Sequence, residues 1–481
     1  MTTKLQSPFT YADLSNGLID DLSVSKGIFP VNAVHKAVNV VFDRPRGGVS
    51  QRYGTTAVGG VLTAATIRGL HNFITSGGTN KLLAVAGGNI YEYGGVAWAV
   101  SKSGATTETL KTRFLTYLDT VVYMNGSNTQ HTSTDGSTWA SSGGNLDVAS
   151  MPTSKFATIL NSRVLVAGDP NAPDTIKLSS IVSSNAVSWT SGNKSVVISP
   201  NDGAGNLTGV TGNGRVSLLF KQRGLYRYDD NSLERIGYVG TPSYESIATD
   251  DNGDTYFFGQ GANGIGFYVT NGGRPVKISR AITRYVEGIA ASFYTSVSAY
   301  TDGRHIEWSV GSITVGDNTY SNASVVYSIS DKTWTVFSRA DSFRVFSQYI
   351  DSSSNITVVG GDTDGNVQTI NSGTTDNGSA IYSEVELAGL VFTTRGRTKS
   401  VSGVVAMTEH FQGLSLLMKA DNGAFEPIAG LTETTQYCGD FKLEGHEFFP
   451  KLIASNSGEP WSFTGLEFDG SDVLDEGYQV L

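Results

Sequence analysis

The chain has a single cysteine, Cys438, in 481 residues. One thiol excludes an intramolecular disulfide framework and any CxxC zinc or redox site. A lone cysteine reads as a small, half-buried hydrophobe, because a nucleophilic thiol wants a histidine partner and nothing in the sequence points to one. Charge is scarce, at 16% of residues, and cations are outnumbered. Lys and Arg total 34 against 44 Asp and Glu, a net charge of −10. Gripping nucleic acid needs a cationic surface, so a conventional DNA binder is excluded. A wall that DNA slides past is not excluded, since such a wall works best neutral or anionic. Long apolar runs are missing too: no window approaches ~18 consecutive apolar residues. The opening MTTKLQSPFTYADLSNG has no basic-then-apolar signal pattern. The expectation is synthesis in the cytoplasm without a secretory signal, and no membrane insertion.

What is abundant is glycine, 57 residues, well above the usual ~7% and without a G-X-Y period, so collagen is excluded. Apolar residues make up 39% and are spread evenly, enough for a packed core. A prior of ~150 residues per domain suggests about three domains, although one large all-β domain can absorb roughly 250 residues or more.

Alternating runs of Val, Ile, Leu, Tyr and Phe recur throughout, for example at 81–86, 120–124, 163–167, 215–221, 254–258, 305–310, 325–329 and 356–359. Such side chains suit a half-buried pleated surface. Between the runs sit Asn-Gly at 125–126, Asp-Gly at 135–136, 302–303 and 364–365, and Gly-Gly at 87–88, 94–95 and 272–273. Asn-Gly and Asp-Gly supply the positive φ that tight hairpins require. The fold class is all-β. Helix is expected only at 108–117, where a strand reading is nearly as good, and at 280–288.

A coarse repeat is also present. IYEYGGVAWAV (90–100), QHTSTDGSTWA (130–140), LYRYDDNSLERI (225–236), FYVTNGGRPVKI (267–278) and VYSISDKTWTV (326–336) each read as an outer hairpin. Most neighbouring centres lie roughly 40–60 residues apart, near the period of four-stranded propeller blades. With a unit allowed in the wider gap at 140–225, a β-propeller of about six or seven irregular blades spans 57–378. Residues 1–56 read as an N-terminal arm and first strand. Residues 379–481 carry longer alternating strands and read as a C-terminal β-sandwich-like domain with an acidic tail of Glu467, Asp469, Asp472, Asp475 and Glu476. An irregular β-sandwich array is the competing architecture for the repeats.

Chemistry is harder to find. The histidines, His35, His71, His131, His305, His410 and His446, show no HxxxH or HExxH spacing and read mostly as surface or turn residues. GQGANGIG (259–266) imitates a nucleotide fingerprint, but the next residues, FYVTNGG, read as a strand, and a phosphate cradle needs a helix N-terminus. GGDTDGNV (360–367) alternates Asp362, Asp364 and Asn366 like a calcium loop but lacks the terminal acid, so a hairpin turn is the better reading. Propellers host glycosidases, yet no acid pair stands out among 44 carboxylates. No catalytic, cofactor-binding or metal residue is nominated, no cofactor is expected, and the protein is not expected to be an enzyme. Arg44, Arg46 and Arg52 form a basic cluster better read as packing or a subunit contact than as a DNA clamp. The loops 141–155, 191–206 and 368–380 are candidates for docking or gating, or plain surface loops.

A series of motifs in order resembles the propeller-type tail proteins of bacteriophages, which include packaged-DNA stabilisation and tail nozzle proteins. The motifs are NVVFDRPRGGVSQRYGT (39–55), LNSRVLVAGDPNAPDTIKLSSIVSSNAVSW (160–189), NDGAGNLTGV (201–210) with RVSLLFKQRGLYRY (215–228), the segment 237–286, and RTKSVSGVVAM (397–407) with PKLIASNSGEPWSFTGLEFDG (450–470). The resemblance covers about three-quarters of the chain and implies a structural virion protein. Such a protein forms a ring, commonly of six copies, below the portal and its adaptor. It extends the DNA channel, touches the genome only transiently and helps retain or release it. The alternative is a tail-associated propeller that binds a receptor or processes glycan. A Kelch or WD-type scaffold is disfavoured because the Gly-His and Trp-Asp signatures are missing.

Overall fold

The computed structural model describes residues 3–4, 9–11, 13–20, 29–30, 32–43, 47–212, 214–262, 264–351, 353–392, 398–456, 458–468 and 473–476. The alternating runs do become strands, and the glycine- and aspartate-bearing turns between them reverse the chain. Seven small antiparallel strand groups follow one another among these residues, six as separate sheets and one as part of a ten-stranded sheet.

Blade 1 comprises Gly69–Ile74, Asn80–Ala86, Asn89–Tyr93 and Trp98–Lys102. Blade 2 comprises Arg113–Tyr117, Thr120–Met124 and Thr132–Ser133, with Thr132 bridged to Ala140. Blade 3 runs Phe156–Leu160, Arg163–Asp169, Ala172–Leu178 and Lys194–Val197. Blade 4 runs Leu207–Gly212, Ser217–Lys221, Gly224–Tyr228 and Leu233–Gly237. In blade 5, Val239–Gly240 and Ala248–Thr249 both pair with Thr255–Gly261, followed by Gly264–Thr270 and Val276–Lys277. Blade 6 holds Ser298–Thr301, His305–Val315, Asn318–Ser328 and Trp334–Ser338. Blade 7 holds Phe343–Ile350, Ile356–Asp362 and Val367–Ile370, and its fourth strand is Thr55–Ala57.

The first strand of each blade touches the next around a ring, and blade 7 touches blade 1. In blade 5 the short turn Tyr244–Ser246 takes this place between its neighbours. The protein is a closed seven-bladed β-propeller with an additional β-sandwich-like body. The five repeats are the outer hairpins of blades 1, 2, 4, 5 and 6, and the wide gap holds blade 3.

Closure joins distant parts of the sequence. Thr55–Ala57 pairs antiparallel with Val367–Ile370, matching Ile370 to Thr55 and Gln368 to Ala57. The seam continues upstream of blade 1: Val58, Leu62 and Ile67 donate their N–H groups to the carbonyls of Val367, Gly365 and Asp362 at 2.7, 3.0 and 2.9 Å. Pairing the last blade with an N-terminal strand leaves no long open edge at the junction.

Of the two helices expected, one is absent and one is present. Residues 108–117 do not form a helix: Arg113–Tyr117 is the inner strand of blade 2, paired through Phe114 and Tyr123. The helical stripe there was a coincidence of period, and tertiary pairing decides for the strand. At 280–288 a turn at Ser279–Ile282 does lead into the short α-helix Thr283–Glu287, burying Ile282, Tyr285 and Val286.

The N-terminal segment is more than an arm. Ala33–Val38 pairs antiparallel with Ile381–Leu387 and makes a parallel bridge from Val38 to Val336 of blade 6. Phe448–Asn456, Leu414–Ala420 and Glu426–Gly430 extend that sheet, which therefore runs without a break from blade 6 into the sandwich. Val40–Asp43 and Gly48–Gln51 belong to the opposing sheet with Ser462–Phe468, Val404–His410 and Thr435–Cys438. Local alternation shows that a strand exists but not which distant strand it pairs with.

One hydrophobic core spans both bodies. It includes Val34, Val40, Phe258, Phe267, Trp308, Trp334, Leu452, Trp461 and Phe463. Trp461, with no exposed surface, anchors the sandwich and donates its indole N–H to Ser383 Oγ at 2.7 Å. No helix among the described residues is long and apolar enough to cross a membrane.

Candidate functional site

A cluster of buried polar contacts lies where the N-terminal segment, blade 6 and the sandwich meet. Asn39 interrupts the strand run at φ 55, a left-handed conformation that asparagine tolerates better than most residues. That turn points its amide at three backbone groups. Nδ2 donates to the carbonyls of Tyr382 at 2.7 Å and Ser338 at 3.0 Å, and Oδ1 accepts from the Ser338 N–H at 2.9 Å. Asn39 Oδ1 also accepts from Arg52 Nε at 2.8 Å.

Arg52 is almost wholly enclosed, at 1% exposure. Its Nη1 and Nη2 donate to Asp376 Oδ1 and Oδ2 at 2.7 and 2.6 Å, the two-pronged geometry that suits guanidinium and carboxylate. A second enclosed pair stands alongside: Arg339 Nε and Nη2 donate to Glu307 at 2.9 and 2.7 Å, and Tyr300 donates to Glu307 Oε2 at 2.8 Å. The Phe337 ring lies 5.3 Å from the Arg52 guanidinium and 5.2 Å from that of Arg339. Cations near an aromatic ring recover part of the cost of leaving water. These contacts tie together positions 39, 52, 307, 339 and 376, which the sequence scatters across most of its length.

A groove of about 640 Å³ runs along this seam, with Tyr320, Arg339, Asp376, Tyr382 and Glu384 among its walls. Glu384 is bridged by Lys36 at 2.9 Å and by Lys451. Burial opposes ionisation of Glu307, Asp376 and Glu384, but their cationic partners outweigh it and hold all three below the ordinary range. A general acid needs the opposite shift. Asp341 does shift upward, first through burial and then through Asp362, Asp364 and Asp376, but it accepts a bond from Gln368 Nε2 at 2.7 Å. Among the described residues, no group of three or more His, Cys, Asp or Glu could hold a metal ion. The arrangement is suited to bracing.

The seam predicts an acid response. A carboxyl with a depressed native pKa contributes stability that is present above its unfolded value and lost as pH falls through the native one. Stability is therefore expected to fall below about pH 4, the ordinary carboxylate range. His71 adds an earlier step. Burial pushes it down to about 4, so the unfolded chain takes up that proton first and stability begins to drop below 6.5. Urea midpoints measured from pH 8 to 3 should show both declines, and His71→Gln should shrink the earlier one, leaving the part that His35 and His131, also lowered by burial, contribute.

The remaining sequence candidates find ordinary places. Gly259, Gln260 and Gly261 pair with Gly266, Ile265 and Gly264 in the central hairpin of blade 5, strand to strand, while Asn263 of that string lies outside the described residues. Asp362 Oδ1 accepts from the N–H groups of Asp364 and Asn366 at 2.8 Å each, so its turn consumes the carboxylate. His305, at the start of its blade 6 strand, faces Asp302, His446 faces Asp421, and His131 stacks on Tyr123. Cys438 is buried, and burial pushes its thiol up. Of the basic cluster, Arg52 is the seam residue, whereas Arg44 and Arg46 lie outside the described residues, as do Asp469 and Asp472 of the tail. Val473–Glu476 is a strand paired with Thr398–Val401.

The three loops are tied down. Leu146, Val148 and Met151 are core residues, Lys194–Val197 is the outer strand of blade 3, and Asp376 is the Arg52 partner. Asn39, Glu307, Arg339 and Asp376 carried no local sequence signal.

No protein-family model matches the chain, and no curated protein matches it. Among solved structures, it is similar to YCF48 from Cyanidioschyzon merolae, at 12% identity over 66% of this chain and 98% of that one, with a TM-score of 0.41. It is similar also to a catalytically inactive virginiamycin B lyase from Staphylococcus aureus with quinupristin, at 10% identity over 66% and 98%, with a TM-score of 0.43.

Proposed function

We propose that this chain is a structural protein of a bacteriophage tail, a ring-forming nozzle or stabilisation component beneath the portal and adaptor. The observation that supports the reading best is mechanical. Ring closure by Thr55–Ala57 and the sheet continuous from blade 6 into the sandwich make one braced body from nearly the whole chain. A subunit that must withstand genome pressure without covalent cross-links needs such bracing. The ordered motifs in the sequence supply the tail assignment, and the net charge of −10 suits a channel along which DNA slides.

In this reading one flank of the propeller and the sandwich form the two unlike patches of a head-to-tail ring contact. Negative-stain images of purified subunits mixed with the portal–adaptor assembly should show added rings, commonly of six copies. Persistent monomers would refute the assignment.

A second reading has its own observation. Tyr238, 76% exposed, stands under the Arg235 guanidinium at 4.1 Å beside a groove of about 440 Å³ that Tyr268 and Pro275 help line. An exposed ring of this kind suits sugar stacking. A receptor-binding propeller would lose infectivity on particular hosts when Tyr238 is changed to Ala. A nozzle subunit would leave host range intact, and its absence would give particles that leak DNA on every host.

A further inference from the structure

The inner strands converge on a cavity of about 210 Å³ at the end where the chain enters each blade. Its polar lining is strongly one-sided. Arg68 precedes the inner strand of blade 1, Thr112 and Arg113 open blade 2, and Glu245 belongs to the turn that leads into blade 5. Lys111 and Arg344 flank these groups, so four cations surround one carboxylate.

That carboxylate is already committed. Glu245 receives Arg113 Nη2 at 2.5 Å and Lys111 Nζ at 2.8 Å. Burial resists its ionisation, but Arg113 and then Lys111 outweigh burial and hold it at about 2. Arg113 is fixed in place, its guanidinium 4.7 Å from the Phe156 ring and 4.9 Å from that of Tyr244. Arg344 is positioned likewise, 5.2 Å from the Phe293 ring and 3.2 Å from Ser296 Oγ.

Three polar atoms on this lining have no partner. Arg68 Nε, Arg113 Nε and Thr112 Oγ1 are buried without a hydrogen bond, and Thr112 as a residue is only 2% exposed. The two guanidinium nitrogens can only donate, and the hydroxyl is free to do so. A buried donor left unmade costs free energy, and four cations gathered around one carboxylate repel one another. Water could accept from the donors, but it would leave the charge uncompensated. A tetrahedral oxyanion satisfies both needs, because forked guanidinium donors match its oxygens. The volume admits a small anion with a few waters and excludes a bulky substituent.

We infer that this cavity binds a small free oxyanion of the phosphate class, held by Arg68, Arg113 and Thr112, with Lys111 and Arg344 supplying the surrounding positive charge. Neither the ring assembly nor the sugar reading is needed for this site, and the measurements are separate.

The test is calorimetric titration and thermal melting of the full chain with inorganic phosphate against chloride at equal ionic strength. Saturable, phosphate-specific binding is expected. Arg68→Gln should weaken it by about tenfold or more, the effect of losing one hydrogen bond to a charged group. Thr112→Val should weaken it several-fold. Glu245→Gln removes the competing negative charge and should tighten it. Melting in chloride reports whether each variant folds, and Thr112→Val serves if Arg68→Gln does not. No phosphate-specific response would overturn the inference. So would a response that Arg68→Gln and Thr112→Val leave unchanged, or that Glu245→Gln weakens.

Discussion

Asp376→Ala is expected to destabilise the protein by about 3–5 kcal/mol, the range for stripping one partner from a buried ion pair. The Arg52 guanidinium would stay enclosed with its double contact to Asp376 gone and only neutral acceptors, Asn39 Oδ1 and the Tyr53 and Ser338 carbonyls, close by. The loss should be larger than that of an exposed pair such as Lys442–Glu444, whose side chains are 60% and 47% exposed and whose removal should cost at most about 1 kcal/mol. Replacing both seam partners with apolar residues, Arg52→Met with Asp376→Leu, should recover much of the loss, since the penalty comes chiefly from the orphaned charge. Urea unfolding of the single and double variants measures both. A single-variant cost under about 1 kcal/mol would mean that the seam is wet and contributes little.

Gly365→Val should be comparably damaging for a different reason. Gly365 is the tip residue of the blade 7 hairpin, with φ +87, a backbone state that side chains with a Cβ rarely adopt. A Cβ there would also overlap the Thr63 carbonyl oxygen, a backbone atom with no rotamer to change. The same tip accepts the Leu62 N–H, so the substitution strikes the closure of the ring. Left-handed strain and overpacking together amount to about 3 kcal/mol or more. Gly94→Ala is the matching control: nothing lies within 4 Å of its added Cβ, and a change near zero is expected. Equal effects at the two glycines would show that the tip is not packed against Thr63.

Both predictions depend on contacts between distant positions, which marks the boundary of what the sequence disclosed. The outer hairpins were legible because Gly-Gly and Asp-Gly turns and alternating aromatics are local signals, and five of them fall where the structure has them. Blade 3 was visible mainly as a gap of suitable length. The turn between Arg113–Tyr117 and Thr120–Met124 was hidden, because Leu118 and Asp119, at φ 53 and 54, replace the usual Asn-Gly pair. Their geometry is secured from elsewhere: Asn145 donates to the Leu118 carbonyl at 3.1 Å, and the Ser76 N–H donates to Asp119 at 2.7 Å.

The seam was illegible for the same physical reason. Arg52 and Asp376 lie 324 positions apart, and neither alternation nor turn chemistry carries information over that distance. The basic cluster did draw notice to Arg52, but its burial and its partner emerge only once Ala33–Val38 joins Ile381–Leu387. The central cavity was hidden likewise, since Arg68, Arg113 and Glu245 come from three different blades.

Hydrogen exchange on the intact chain tests most directly whether its two ends close one rigid body. Protection of Thr55–Ala57, Ala33–Val38 and Val367–Ile370 should match that of Trp334–Ser338, with exchange only through global unfolding. Rapid exchange of residues 33–57 while blades 2 to 5 stay protected would contradict it, because the wheel would then be open at blade 7 and the sandwich a loosely attached appendage.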